Sequence, residues 1–376
     1  MKIEQRRLSA ESGWRVCTSS LAGELPQVAF VFGPRRLIED ATVLARARAA
    51  YPRSELVVTS GAGEFSGPDV SDDQLVVTAL AFEHSTVRTT VLSVFDRDGS
   101  YAAGRELARQ LVAPDLVHVM VLCDGLRVNG SRLVDGMNEM LPTAVSVTGG
   151  LAGDGTSFGR TVVGLGTNVG PDRVVAVGFY GRRLRVGYGC SGGWQPYGPE
   201  RIVTRAEDNM LFELDGQPAL QLYREHLEES VCPLATAALR HPLSMTAETG
   251  GVAVVRTSHS IDEETGVMEF AGDIPQHARV RFLQASPEDL ILGAEDAARQ
   301  ACAIGAPDLV VCVNCVARRL VLGERGPEEM RRVREIFGAA CGLGGFYSYG
   351  EIAPAVGGTG AQFHNQTMTI TSFREE

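Results

Sequence analysis

The sequence predicts a mixed α/β protein of two similar halves, produced by internal duplication and packed across an interdomain cleft. Three observations carry this reading. A pattern of apolar strand, amphipathic helix, second strand and glycine-rich turn occurs three times along 376 residues. The second and third copies follow parallel segments, GRELARQLVAPDLVHVMV (104–121) and AEDAARQACAIGAPDLVVCV (294–313), which share APDLV after a helical stretch. Upstream of each lies a pair of runs in which apolar and polar residues alternate, the period of a strand.

In chain order, residues 1–24 are polar and read as a lead-in. VAFVFG (28–33) is short and wholly apolar, as a buried strand must be. PRRLIEDATVLARARAAY (34–51) then sets Leu37, Ala41, Leu44 and Ala45 at helical spacing behind a proline suited to a helix start. The strand ELVVTS (55–60) leads into the turn GAGEFSG (61–67), which carries Glu64. QLVVTALAF (74–82) and TVRTTVLSVF (86–95) alternate. The second copy is LVHVMVLCDG (116–125), helix SRLVDGMNEML (131–141), strand TAVSVT (143–148) and turn GGLAGDG (149–155) with Asp154. RVVAVGFYGRRLRVGYG (173–189), GVAVVRTSHSI (251–261) and HARVRFLQA (277–285) are strand-like. The third copy is LVVCVNCVA (309–317), helix PEEMRRVREIFG (327–338) and AACGLGGFYSYGEIAP (339–354) with Glu351; QTMTITSF (366–373) closes the chain. The turn ELDGQPA marks the boundary, giving a lead-in over 1–24 and domains over 25–212 and 213–376.

Composition narrows the function. Thirty-five basic against 46 acidic residues leave a net charge of −11, which repels nucleic acid. Every apolar run is broken well short of the ~20 residues of a membrane span, so no insertion is expected. The start, MKIEQRRLSAESGW, has no apolar signal core, and the expected location is cytoplasmic. Lys2 is the single lysine, which excludes Schiff-base chemistry and a P-loop. The eight cysteines show no framework spacing.

Several motifs are weaker than they look. Gly187–Gly192 matches G-x-G-x-x-G, but GWQPYGP follows where a dinucleotide loop needs a helix. The overlapping G-x-S-x-G lacks the same strand-to-helix context. Cys312 and Cys315 form a CxxC, yet an odd offset in a strand turns the thiols to opposite faces. Metal is not expected. Cys315, at a strand end, with His364 as base and Asn365 orienting it, forms the alternative of a thiol-dependent enzyme.

A resemblance covers residues 26–372. Gly149-Gly150-Leu151-Ala152-Gly153-Asp154, Ser191-Gly192-Gly193-Trp194, Val203-Thr204 and Leu214–Ala219 resemble the FIST N region. Asn314–Arg319, Gly345–Ile352 and Phe363-His364-Asn365-Gln366-Thr367 are similar to FIST C. The resemblance implies a sensory, signal-transducing domain for small molecules such as amino acids. With no output module in these residues, it also implies a separate partner such as a histidine kinase or cyclase. Some members sense nitric oxide through haem, for which His364 would be the first ligand, then His84 and His259; no cofactor is expected here. The glycine turns should converge on the cleft. There Asp154 and Glu351 on opposite walls would hold an amine, Arg318 a carboxylate, and Tyr347, Trp194 and His364 the walls.

Overall fold

The three apolar runs form the strands Val28–Gly33, Leu116–Cys123 and Leu309–Cys315, and their near-continuous burial explains why they do not alternate. A computed structural model describes the chain except residues 10–12, 98, 227–233, 249 and 356–359 and the side chains of 235 and 236. Each central strand pairs in parallel with the strand that returns from its helix: Glu55–Ser60, Ser146–Leu151 or Gly342–Ser348. On its other side each pairs antiparallel with Gln74–Ala81, Arg173–Tyr180 or Met368–Glu375. Outside these lie Lys2–Ser9, Thr86–Ser93 and Leu184–Ser191. The sheets around the second and third copies therefore match strand for strand, as the duplication requires, and the first copy builds a third sheet on the same plan.

Each unit also passes one short strand to another. Glu64–Ser66, from the first unit, joins the third unit's sheet beside Gly344–Phe346. Gly350–Pro354, from the third, joins the second beside Gly149–Leu151. Val163–Leu165, from the second, joins the first beside Val57–Thr59. The exchange is cyclic.

The sheets meet in a common core that draws Phe30 and Phe32, Met120 and Leu122, and Val311 and Val313 from the three central strands. Helices Gly99–Leu111 and Gly130–Met140 cover the second sheet, and Pro287–Ala301 and Gly326–Phe337 the third. Gly189 of the nucleotide-like motif lies in the strand Leu184–Ser191, where a Cβ would stand 1.9 Å from the Ala297 carbonyl of a covering helix. Its glycines serve close packing.

Two expectations are corrected. Lys2–Ser9 is no ragged lead-in. Ile3 and Leu8 are buried, and the Gln5 amide donates to Thr78 at 3.1 Å, so tertiary pairing overrides a polar composition. The boundary at 212/213 falls inside the strand Met210–Leu214. That strand belongs to an eight-stranded sheet over 195–284, inserted within the third unit.

Candidate functional site

The glycine turns converge, backbone to backbone. The Ala62 N–H donates to Tyr347 O at 2.8 Å, Gly153 to Ser60 O at 2.9 Å, and Tyr349 to Leu151 O at 3.2 Å. Gly149 (φ +148) and Gly345 (φ +152) stand at matching places, each 1.8 Å (from an added Cβ) from its neighbour's carbonyl, Val121 O or Cys312 O. One residue on, Gly150 faces Glu351 and Phe346 faces Glu64, while the first sheet's matching Thr59 faces Val163. Glu64 and Glu351 are thus equivalent, and the expected pairing of Asp154 with Glu351 is corrected. Asp154 closes its own turn, accepting from the Tyr349 hydroxyl and from the N–H groups of Gly159 at 3.1 Å and Arg160 at 2.9 Å.

The structure brings Arg318, Cys315, Glu351 and Trp194 to the segment 364–367, which holds His364, but satisfies most of them internally, while Tyr347 lies instead against Phe65 and Arg319. Arg318 is fully buried and ion-paired to Glu329. Its remaining N–H groups go to Asn314 Oδ1 at 3.1 Å, Leu290 O at 2.8 Å, Gln366 O at 3.4 Å and Gly192 O. No donor is left for a ligand carboxylate, so Arg318 is a structural clamp. Glu351 is fully buried and accepts from Ser348 Oγ at 2.6 Å, Thr367 Oγ1 at 3.0 Å and Thr367 N at 3.2 Å. Burial pushes its carboxyl up to about 8, against the pull of those donors and Arg318. Trp194 donates to Gln366 O at 2.9 Å and packs with Leu290 and Ile291. Tyr347 is buried edge-on to Phe65.

The thiol-enzyme alternative is corrected on the same ground. Burial, and then Glu351, push the Cys315 thiol far up, away from thiolate chemistry. The His364 ring, lowered to about 4 by burial and by Arg256, is not hydrogen-bonded to that thiol, and the Asn365 side-chain oxygen has no partner among the described residues. Among the described residues no group of three metal-binding side chains occurs. A haem does not fit these residues. His364 does not line the cleft whose wall carries Asp135, Asp208 and Asp273, while His84 and His259 lie at the surface beside Glu83 and Glu269.

That cleft, about 550 Å³, lies between the core and the inserted sheet. One wall is the helix Gly130–Met140 (Ser131, Asp135) and the strand Ala361–His364 (Gln362, Phe363); the other carries Arg256 and Asp273. Arg256 is 5% exposed and makes no ion pair among the described residues. It donates to the carbonyls of Asp273 (3.1 Å), Val255 (3.1 Å) and Phe363 (2.9 Å), and reaches Ser131 Oγ only at 3.4 Å. Burial lowers its guanidinium to about 10, partly offset by Asp273 and Asp135. Sequence reasoning missed Arg256, although VAVVRTS places it in phase with buried Val254, and an inward-facing arginine was the available signal.

Family models match almost end to end: FIST N domain over 27–217 and FIST C domain over 219–354. The chain belongs to the FIST family. FIST domains are sensory domains that bind small ligands. This FIST chain is 28% identical over 372 residues to an uncharacterized protein of Mycobacterium bovis, covering 95% of the chain and 92% of the relative. An uncharacterized Mycobacterium tuberculosis protein is 26% identical over 368 residues, 94% and 92% of the two chains. Cyanuric acid hydrolase from A. caulinodans is a distant structural likeness at TM-score 0.39 and 8% identity, covering 100% of both chains. Among the described residues no helix is long and apolar enough to cross a membrane.

Proposed function

We propose that this FIST chain is a cytoplasmic sensor that binds an amino-acid-like ligand in the cleft between core and inserted sheet and signals through a separate protein such as a kinase or cyclase. The observation that carries this reading is Arg256. A buried guanidinium without a bound carboxylate is costly unless something pairs with it, and it faces a cavity of ligand size. In this reading the ligand carboxylate takes the weakly used side of Arg256, and its amine sits beside Asp135 and Asp273. Asp273 is already held by Asn129 at 2.7 Å and Arg132 at 3.2 Å, which fixes it for that role. Phe363, beneath the Arg256 guanidinium at 5.6 Å, supplies an apolar floor.

A thermal-shift screen over amino acids tests the reading, followed by calorimetry on Arg256→Ala. A hit at about 100 times its Kd adds ~2.7 kcal/mol to stability. Loss of the charge pair should cost about 2–5 kcal/mol of binding. A ligand held equally well by wild type and by folded Arg256→Ala refutes this site.

A further inference from the structure

Three aspartates, Asp135, Asp208 and Asp273, line the Arg256 cleft against two arginines, Arg132 and Arg256. Arg132 serves two of the aspartates, Asp273 at 3.2 Å and Asp208 at 3.9 Å. Asp135 makes no hydrogen bond and no ion pair among the described residues. A simple zwitterion cannot balance this lining. Its carboxylate takes Arg256 and its ammonium one aspartate, so a negative charge in excess remains, in a hollow where partial desolvation makes it costlier than in open water.

The helix Gly130–Met140 fixes where that charge lies. Arg256 meets it at Ser131 Oγ, 3.4 Å away, and Asp135 stands four residues on, on the same face and about 6 Å along the axis. Asp273 belongs to the Arg256 end. Its carbonyl accepts from Arg256 Nε at 3.1 Å, and Asn129 and Arg132 hold its carboxylate. The cleft thus offers a guanidinium and a carboxylate together, and a second carboxylate one helical turn away. A side chain of about three or four methylenes spans such an offset, and Val254, Ile274 and Phe363 give the cleft apolar surface for its stem.

We propose that the cleft selects a basic amino acid, with Asp135 as the residue that reads the side-chain cation; this rests on the reading of the Arg256 cleft given above. The ligand carboxylate meets Arg256, its α-ammonium Asp273, and its distal cation Asp135. Burial, and then Asp273, push the Asp135 carboxyl above the ordinary range, against Arg132 and Arg256, and a ligand cation beside it favours the charged form.

The test is calorimetry on the full chain at neutral pH, with arginine as probe and citrulline, of equal length but with a neutral end, as control. Arginine should bind at least about tenfold more tightly. Asp135→Ala removes both the charge and its oxygens at a solvent-accessible helical position that suits alanine. It should bring arginine down to the affinity of citrulline and leave citrulline unchanged, whereas Arg256→Ala should weaken both alike. Circular dichroism and melting establish that each variant is folded. Equal binding of arginine and citrulline by wild type, each lost in Arg256→Ala, overturns this inference and leaves the amino-acid reading standing. A preference for arginine that survives in Asp135→Ala overturns it as well. Failure of every amino acid to bind overturns both readings together.

Discussion

Replacing Glu351 with glutamine isolates one buried proton. The carboxyl is raised from an ordinary 4.5 to about 8 because burial disfavours its charge more than three donors favour it. The folded state therefore holds this proton where the unfolded chain has lost it. Below about pH 4.5 both states are protonated and Glu351 costs nothing. From there to about pH 8 stability falls as pH rises, by ~1.4 kcal/mol per unit, roughly 3–5 kcal/mol in all. Glutamine keeps the geometry. Its oxygen can accept from Thr367 N and Oγ1, and its amide can donate to Ser348 Oγ, which already reaches Asn314 O at 3.2 Å. Urea unfolding of both proteins from pH 5 to 9 measures the difference. Glu351→Gln should gain steadily on wild type up to about pH 8 and level off beyond. Parallel curves through pH 5–8 would refute the reasoning.

Arg318→Ala should cost about 3–5 kcal/mol of stability by stranding Glu329 without its buried partner, measured by denaturant midpoint. A loss below about 1 kcal/mol would contradict the clamp. Iodoacetamide on native protein should label exposed Cys17 and leave Cys315 untouched until denaturant is added, as read by peptide mass mapping. Gly149→Ala or Gly345→Ala forces a Cβ to 1.8 Å from a carbonyl at positive φ and should cost about 4 kcal/mol or more, seen as a large fall in Tm or as insoluble protein.

The central strands and their parallel partners were legible because burial on both faces leaves long uninterrupted apolar runs. The strand exchange was not. Its segments, EFS and VGL, are three residues long, too short to show any period. Matching the three acids by their glycine turns failed for Asp154, because the second unit's turn is longer and its exchanged strand begins only at Val163. Arg318 looked like a ligand fork because nothing local to it reveals Glu329, 11 residues on. The hint lay in the next helix, where Glu329 shares a buried stripe with Val333. Arg256 was passed over inside a run read only for its alternation.

The cyclic passing of strands has a consequence for how the chain comes together. A cut between residues 217 and 219, at the seam between the FIST N and FIST C matches, would leave the second sheet without Gly350–Pro354 and the third without both Glu64–Ser66 and Leu184–Ser191. Neither fragment can close its own hydrogen-bond ladders. The open edges would be templates for pairing with other molecules rather than surfaces of a stable half-protein. Contacts such as Glu64 with Phe346 must also form across most of the chain's length, a topology that favours slow folding. On this view the two family regions are one cooperative unit, with neither half able to fold or melt apart from the other.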